Sequence, residues 1–334
     1  MKKIRWGILG AAKIAREQVM PAMINSESTE LVAIASKDLK KAHFLGKKFN
    51  IPKIYNKYED LIKDPNIDAV YNPLPNHLHV PWSIKAAKEG KHVLCEKPIS
   101  IEGSEIKELI NTELNTGKKI VEAFMVREHP QWHKAKSMID EGLVGEINAI
   151  QGMFCYHNID PRNIRNDPNI GGGGLLDIGV YPIVTSRFIS GAEPLRVAAI
   201  INRDPKFKTD ILTSAILEFE NFHMTFTCST QSNLMQHMRI IGSIGRIELP
   251  VPFNPLEDAS MINYWKYTSH PANEPECIKI KSSNQYTLQM ETMNKTILTN
   301  TNHPFGLTDS QKNMSVLDAI FLAGKTNLWQ KVIY

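Results

Sequence analysis

Cysteine is scarce in this chain: Cys95, Cys155, Cys228 and Cys277 are the only four in 334 residues, and no two form a C-x-x-C pair. That argues against a disulfide framework, and reduced thiols in a cytoplasmic protein are expected. Long apolar runs are missing as well. No stretch approaches the roughly 18 residues that a membrane-spanning helix needs. The opening Met1-Lys2-Lys3-Ile4-Arg5-Trp6-Gly7 is basic but runs straight into a strand and a glycine. It lacks the apolar stretch and small-residue cleavage site of a secretory leader. Charge of one sign is also in short supply. The net charge is +4, with the basic residues spread along the chain. A nucleic-acid surface is therefore not expected, although a local phosphate site remains open. There is no internal repeat and no low-complexity tract. What is left is an ordinary globular composition, long enough for two domains with cores of their own.

Two rhythms divide the sequence. Over the first 125 residues, short apolar runs alternate with helix-like segments. The runs are Ile4 to Leu9, Leu31 to Ala35, Ala69 to Asn72, Val93 to Cys95 and Ile120 to Phe124. Between them, helices are predicted at Ile14 to Ser26, Leu39 to Phe49, Pro81 to Glu89 and Glu102 to Leu114. Near-continuous apolar strands such as Val32-Ala33-Ile34-Ala35 fit a parallel sheet covered on both faces. Beyond Gly145 the period changes to two. Met224, Phe226 and Cys228 alternate with Thr225, Thr227 and Ser229. Further strands are predicted at Ile147 to Tyr156, Val197 to Asn202, Ile211 to Phe219, Met238 to Leu249 and Cys277 to Lys281. Asp309 to Lys331 reads as a closing helix capped by Asp309 or Ser310. Pro250 to Asn273 is the least legible stretch. The predicted domains are therefore 1–125 and 126–334.

The turn after the first strand, Gly7-Ile8-Leu9-Gly10-Ala11-Ala12-Lys13-Ile14-Ala15, approximates the dinucleotide pattern G-x-G-x-x-G/A. Gly10 takes the first glycine place, Ala12 the second and Ala15 the third. Helix N–H groups beyond Ala12 and Lys13 would then face a pyrophosphate, although the Ala12 methyl limits the approach. A plain strand-to-helix turn is the structural alternative. At the end of the second strand stands Ala35-Ser36-Lys37-Asp38. A hydroxyl donor at Ser36 and the charge of Lys37, with Lys40 and Lys41 nearby, suit the extra phosphate of NADP. Asp38 could serve the ribose of NAD, which stays possible, but it is better placed as the cap of the next helix.

Chemistry is concentrated at two further points. Glu96-Lys97-Pro98 ends an apolar run, so Lys97 sits at the carboxyl edge of the parallel sheet, where open α/β folds bind ligands. The following proline keeps Lys97 extended. An ammonium there can hydrogen-bond a substrate oxygen or exchange its proton; the alternative is a surface lysine at a strand end. The second point is the run Gly171 to Gly174 followed by Asp177 and Tyr181. Four residues apart, these two share one helical face. A phenol near a cationic lysine can act as general acid or base, and Asp177 can orient substrate hydroxyls. A carboxylate complementing a helix dipole and a half-buried tyrosine is the bland alternative. Pro182 has no N–H for the carbonyl of Ile178, so a distorted turn near Ile178 is predicted. Tyr156, ending a strand, is expected to face the same cavity. His129 and His133 have metal-like spacing, but Pro130 opens that helix and no H-E-x-x-H pattern exists. Capping and packing are expected for them, with no metal.

Six motifs occur in order: Gly10 to Ala15, Asn72-Pro73-Leu74-Pro75-Asn76-His77-Leu78-His79, Glu96-Lys97-Pro98, Glu122-Ala123-Phe124-Met125, His129-Pro130-Gln131-Trp132, and Gly171 through Pro182. Together they resemble the glucose–fructose oxidoreductase, inositol dehydrogenase and rhizopine-catabolism (Gfo/Idh/MocA) family over nearly the whole chain. The likeness is greatest to its NADP-dependent D-xylose dehydrogenase and dimeric dihydrodiol dehydrogenase branch, in which a tyrosine stands where Tyr181 does here. The resemblance implies an α/β fold: an N-terminal Rossmann doubly wound parallel sheet, then a C-terminal α+β domain on a mostly antiparallel open-faced sheet. It implies a cis peptide between Lys97 and Pro98. It also implies cofactor contacts at Gly10, Ala11, Ala12, Lys13, Ile14, Leu74, Asn76, His79, Glu96 and Lys97, and Arg165 near the substrate mouth. The expected activity is hydride transfer between NADP and a sugar or cyclic diol, with Lys97, Tyr181 and Asp177 catalytic. Carbonyl reduction, as in an anhydrofructose reductase, is the second choice, and a non-catalytic NADP-binding sensor the rival from another class. A homodimer or homotetramer through the open sheet face is the family pattern and would cover exposed apolar residues.

Overall fold

Burial on both faces explains the first sheet. Its six strands are β1 (Ile4–Leu9), β2 (Thr29–Ala35), β3 (Lys53–Tyr55), β4 (Ala69–Asn72), β5 (His92–Glu96) and β6 (Ile120–Ala123). In the computed structural model, which describes residues 2–267 and 273–334, they run parallel in the order β3-β2-β1-β4-β5-β6. This is the doubly wound order, and its reversal point lies between β1 and β4, where such sheets take their ligands. The helices that cover it include α1 (Met20–Asn25), α2 (Leu39–Lys48), α3 (Tyr58–Lys63), α4 (His79–Lys88) and α5 (Ile106–Thr116). Asp38 caps α2 by accepting the Lys41 N–H at 3.1 Å, as expected.

The first helix departs from expectation. Ala15–Val19 is a π turn, with the Met20 N–H reaching back to the Ala15 carbonyl. Pro21 supplies the reason, since it has no N–H for the carbonyl four residues earlier and the ladder widens instead.

The chain divides into two units, and the division is not a single cut. Unit 1 takes residues 1–125 together with Asn284–Gln311; unit 2 takes Val126–Ser283 and Lys312–Tyr334. The stretch 284–311, assigned from sequence to the second domain, thus returns to the first. It carries α8 (Gln285–Thr299), a helix the hydrophobic pattern did not reveal. Met290 and Met293 of α8 are buried in the same core as Trp6, Met20, Met23 and Val121. A polar seam accompanies them. Asn294 accepts the Trp6 indole N–H at 2.9 Å and donates to Ser28 Oγ at 2.9 Å and Thr29 Oγ1 at 2.7 Å. Glu291 accepts from the hydroxyls of Ser26 and Ser28.

Unit 2 is built on a nine-stranded sheet. Its strands are β7 (Ile147–His157), β8 (Arg196–Arg203), β9 (Asp210–Glu218), β10 (His223–Ser229), β11 (Gln231–Gly242), β12 (Gly245–Leu249), β13 (Met261–Lys266), β14 (Glu276–Lys279) and β15 (Gln330–Lys331). The order is β14-β13-β12-β11-β7-β10-β9-β8-β15, antiparallel except for the parallel pair β7–β10. The single strand expected over Met238 to Leu249 is in fact a hairpin, broken at Ser243-Ile244. Gly242 lies hard against the Val144 carbonyl there, an approach no side chain would permit. The α6 (Pro130–Asp140) and α7 (Val180–Ser190) helices pack together in this unit.

The closing helix α9 spans Leu307–Thr326 rather than Asp309 to Lys331. Asp309 and Ser310 lie inside its first turn and do not cap it; their N–H groups bond the Gly306 carbonyl. Lys331 belongs to β15. Of the illegible stretch Pro250 to Asn273, residues 268–272 lie outside the described residues and the rest includes β13. All four cysteines are free thiols, three of them buried. Among the described residues no helix is long and apolar enough to cross a membrane.

Candidate active site

In unit 1 the candidate residues gather at the carboxyl ends of the parallel strands. Gly10 leaves β1 with φ +94°, a left-handed conformation that favours glycine. A Cβ built there would come within 3.1 Å of Leu74 Cδ2. The glycine is thus favoured by both backbone and neighbour. Ala11, Ala12 and Ile14 are half-buried and Lys13 is exposed beside them. At the end of β2 the Ser36 hydroxyl accepts the Asp38 N–H at 3.1 Å, which leaves its proton available to a ligand. Lys37 next to it is exposed, whereas Ser36 itself shows only 5 % of its surface. A glycine turn at the reversal point, with a hydroxyl and an ammonium at the neighbouring strand end, fits a dinucleotide with a 2′-phosphate.

The segment carrying Lys97 is held from three sides. The Lys97–Pro98 peptide is cis. Before it, Glu96 accepts the Tyr71 phenol at 2.5 Å. Burial first, and then the Glu96 carboxylate, push the phenols of Tyr71 and Tyr286 above their ordinary range, so both stay protonated. Behind it, the Ile99 N–H reaches the buried Glu122 carboxylate at 2.9 Å. His79 supplies the third contact, with Nδ1 2.7 Å from the Pro98 carbonyl and Nε2 2.6 Å from the Leu74 carbonyl. The cofactor contact expected of His79 meets a residue only 1 % exposed. Its ring joins two loops and has almost no surface to offer a ligand. Leu74 is also buried, at 6 %, while Asn76, Glu96 and Lys97 are half-buried.

In unit 2 three expected residues meet. The Tyr156 phenol donates to Asp177 Oδ2 at 2.6 Å, and Arg165 Nε donates to the same oxygen at 2.8 Å. Burial, then the Asp177 carboxylate, hold the Tyr156 phenol protonated well above the usual range. Asp177 in turn raises the guanidinium of Arg165. The ion pair joins Asp177, in the helical turn Leu175–Gly179, to the exposed Arg165 of the short turn Ile164–Asn166. The glycine run explains how that loop gets so close. A Cβ on Gly172 would lie 2.6 Å from the Asp167 carbonyl and 2.7 Å from that of Arg165. One on Gly173 would collide with the buried Asp210 carboxylate, which accepts the Leu175 N–H at 2.6 Å. As predicted, the helix is distorted around Ile178: Leu175–Gly179 is a π turn, and regular α geometry begins only at Val180.

Tyr181 is 6 % exposed and packs against Phe154 and Phe253, with ring centroids 5.6 and 5.5 Å away. Phe253 is a residue that sequence reasoning missed. It follows Val251 and Pro252, whose carbonyls accept from Gln131 Nε2, and Pro252 also accepts the Trp132 indole at 2.9 Å. Gln236 accepts the Phe253 N–H at 3.3 Å. The His129-Pro130-Gln131-Trp132 motif therefore braces the ring behind Tyr181, and His129 itself caps α6 through Gln131. The signal was a motif without an assigned role. Among the described residues no group of three His, Cys, Asp or Glu side chains could hold a metal.

The doubly wound sheet with a glycine turn at its reversal point defines a dinucleotide-binding protein. The chain belongs to the Gfo/Idh/MocA oxidoreductases: residues 4–124 match the oxidoreductase family with an NAD-binding Rossmann fold, and residues 132–248 match the GFO/IDH/MocA C-terminal domain. It is 42 % identical to an uncharacterised oxidoreductase, ORF334, of Rhizobium meliloti, over 99 % of this chain and 100 % of the relative. It is 35 % identical to an NADP-dependent D-xylose 1-dehydrogenase of Haloferax volcanii, covering 75 % of this chain and 76 % of that one. Among solved structures it resembles KijD10, a 3-ketoreductase of Actinomadura kijaniata in complex with NADP and TDP-benzene. The TM-score is 0.90 at 28 % identity, with 96 % of this chain and 98 % of that one covered.

Proposed function

We propose that this oxidoreductase uses NADP and acts on a sugar or cyclic polyol, as an aldose 1-dehydrogenase or a trans-dihydrodiol dehydrogenase does. The observation that carries the reading is the Tyr156–Asp177–Arg165 cluster. It gathers a carboxylate, a phenol and a guanidinium four residues from Tyr181, a set of donors and acceptors suited to vicinal hydroxyls. Unit 1 would hold the dinucleotide through Gly10, Ala11, Ala12, Lys13 and Ile14 at the pyrophosphate turn, Ser36 and Lys37 at the ribose phosphate, and Leu74, Asn76, Glu96 and Lys97 toward the nicotinamide. The bound cofactor supplies the hydride acceptor or donor. Tyr181 takes or returns the hydroxyl proton at its phenolic oxygen, and the Lys97 ammonium is a hydrogen-bond donor to substrate. Asp177, Tyr156 and Arg165 orient the neighbouring hydroxyls.

Carbonyl reduction is the second reading, favoured by the likeness to a ketoreductase. KijD10 variants altered at a lysine and at a tyrosine have also been crystallised with NADP and TDP-benzene. Those two residues are the same number of positions apart as Lys97 and Tyr181, which supports giving these two the proton-handling roles. The exposed face of the nine-stranded sheet carries Ile200, Leu212 and Ile216, at 72, 37 and 42 % exposure. We assign that face to a second copy of the chain.

Nicotinamide absorbance followed over pentoses, hexoses, inositols and cyclic diols, and over their ketones in reverse, tests the function. Turnover of an aldose or diol with NADP is expected. NADPH binding without turnover of any of them would favour a sensor instead.

A further inference from the structure

We propose that His79 is a positioning residue, held as a doubly protonated imidazolium that donates from both ring nitrogens to the carbonyls of Leu74 and Pro98. It thereby fixes the backbone on which Lys97 stands. The geometry carries this. Both ring nitrogens lie within hydrogen-bonding reach of oxygens that can only accept, at 2.6 and 2.7 Å. A neutral imidazole owns one N–H, so in either tautomer a ring lone pair would face a carbonyl lone pair at that distance. The imidazolium satisfies both oxygens, and separations this short are those of charge-assisted bonds. The ring is 1 % exposed, so water cannot mediate either contact.

Burial, joined by like-charge repulsion from Lys97 and His77, lowers the ring to about 4 even with the two carbonyls acting in the opposite direction. We give the carbonyls precedence, because a buried donor–acceptor mismatch has no alternative partner at this site.

The two carbonyls belong to loops with separate tasks. Leu74 packs beneath Gly10 at the phosphate turn, and Pro98 follows Lys97 directly. A doubly bonded ring between them couples the turn that would hold the cofactor to the lysine that would meet the substrate. Tyr71 on Glu96 and Glu122 on Ile99 fix the segment on either side, and His79 is the contact that ties it to the neighbouring loop.

The first test needs no substrate: long-range nitrogen–proton NMR of histidine-labelled protein at pH 8, with and without NADPH. One histidine ring with both nitrogens protonated is expected, and its signals should vanish in His79→Gln. If none of the eleven histidines carries two ring protons at pH 8, the proposal falls whatever the assignment. If that variant fails to fold, His79→Asn serves for assignment. The second test rests on the functional reading above and uses the best substrate from that panel. In His79→Gln kcat should fall between about 10- and 100-fold, as expected for a misplaced catalytic group. The substrate KM and the NADPH Kd, read by fluorescence, should move less than about fivefold. Unchanged kcat alongside a lost doubly protonated signal would overturn the positioning role. Failure of every substrate would sink the functional reading and leave the NMR result standing.

Discussion

Glycine appears among the candidate residues of both units, and it is there for different reasons. In unit 1, Gly10 is needed chiefly for its φ of +94°. In unit 2, Gly172 is pressed onto the carbonyls of Arg165 and Asp167 and Gly173, itself at φ +127°, onto the Asp210 carboxylate, so space is the larger part of what they supply. One turn is set by its backbone conformation, the other by close packing. Both units also open a helix with a π turn ahead of a proline, Ala15–Val19 before Pro21 and Leu175–Gly179 before Pro182.

The largest effect expected is on chemistry. Lys97→Ala and Tyr181→Phe should each lower kcat by about 10²- to 10⁴-fold, the range of a lost acid–base group. NADPH affinity should stay within a few-fold. Two variants that both turn over at wild-type rates would dissolve the catalytic assignment. The glycines come next. Gly173→Ala combines left-handed strain with a collision against a buried carboxylate, and about 3 kcal/mol or more of stability should be lost. Gly10→Ala should cost about 1–2 kcal/mol and weaken NADPH binding disproportionately. Urea titrations beside fluorescence binding separate the two, and equal losses of both properties in both variants would erase the contrast drawn above.

Smaller still, Asn294→Leu should cost about 1–3 kcal/mol by stranding the Trp6 indole and taking one donor from each of two hydroxyls; a urea midpoint at the wild-type value would refute this. The smallest effect concerns acid. Burial lowers His129 and His92 to about 4 from 6.5. The unfolded chain therefore binds more protons than the folded one between these values. Their stabilising contribution is complete above 6.5 and is lost as pH falls toward 4. His129→Asn keeps a capping acceptor but does not titrate, so its Tm should fall less steeply over that window than that of the parent.

Much of unit 1 could be read from sequence because strands buried on both faces leave unbroken apolar runs, as in β2 and β4. The turn at Gly10 and the cap at Asp38 were legible for the same local reasons that make them form. The distortion at Ile178 followed from the missing N–H of Pro182. The same reasoning applied to Pro21 would have revealed the first π turn. The hairpin at Ser243-Ile244 was missed although Gly242, Ser243 and Gly245 are turn residues, because the apolar runs on either side read as one strand; the contact of Gly242 with Val144 is one that no local pattern announces. Phe253 was hidden for a related reason. Its position depends on Gln131, Trp132 and Gln236, which arrive from distant parts of the chain. The meeting of Tyr156, Arg165 and Asp177 was anticipated as a shared cavity, but the shared carboxylate oxygen was not.

The late return of 284–311 has a practical corollary for anyone dissecting this enzyme. A fragment cut after residue 125 would expose the patch that Met290 and Met293 fill and leave the Trp6 indole without its acceptor. Such a piece should aggregate or stay molten. Excision of a stand-alone nucleotide module therefore calls for a graft that carries α8 along with the first six strands.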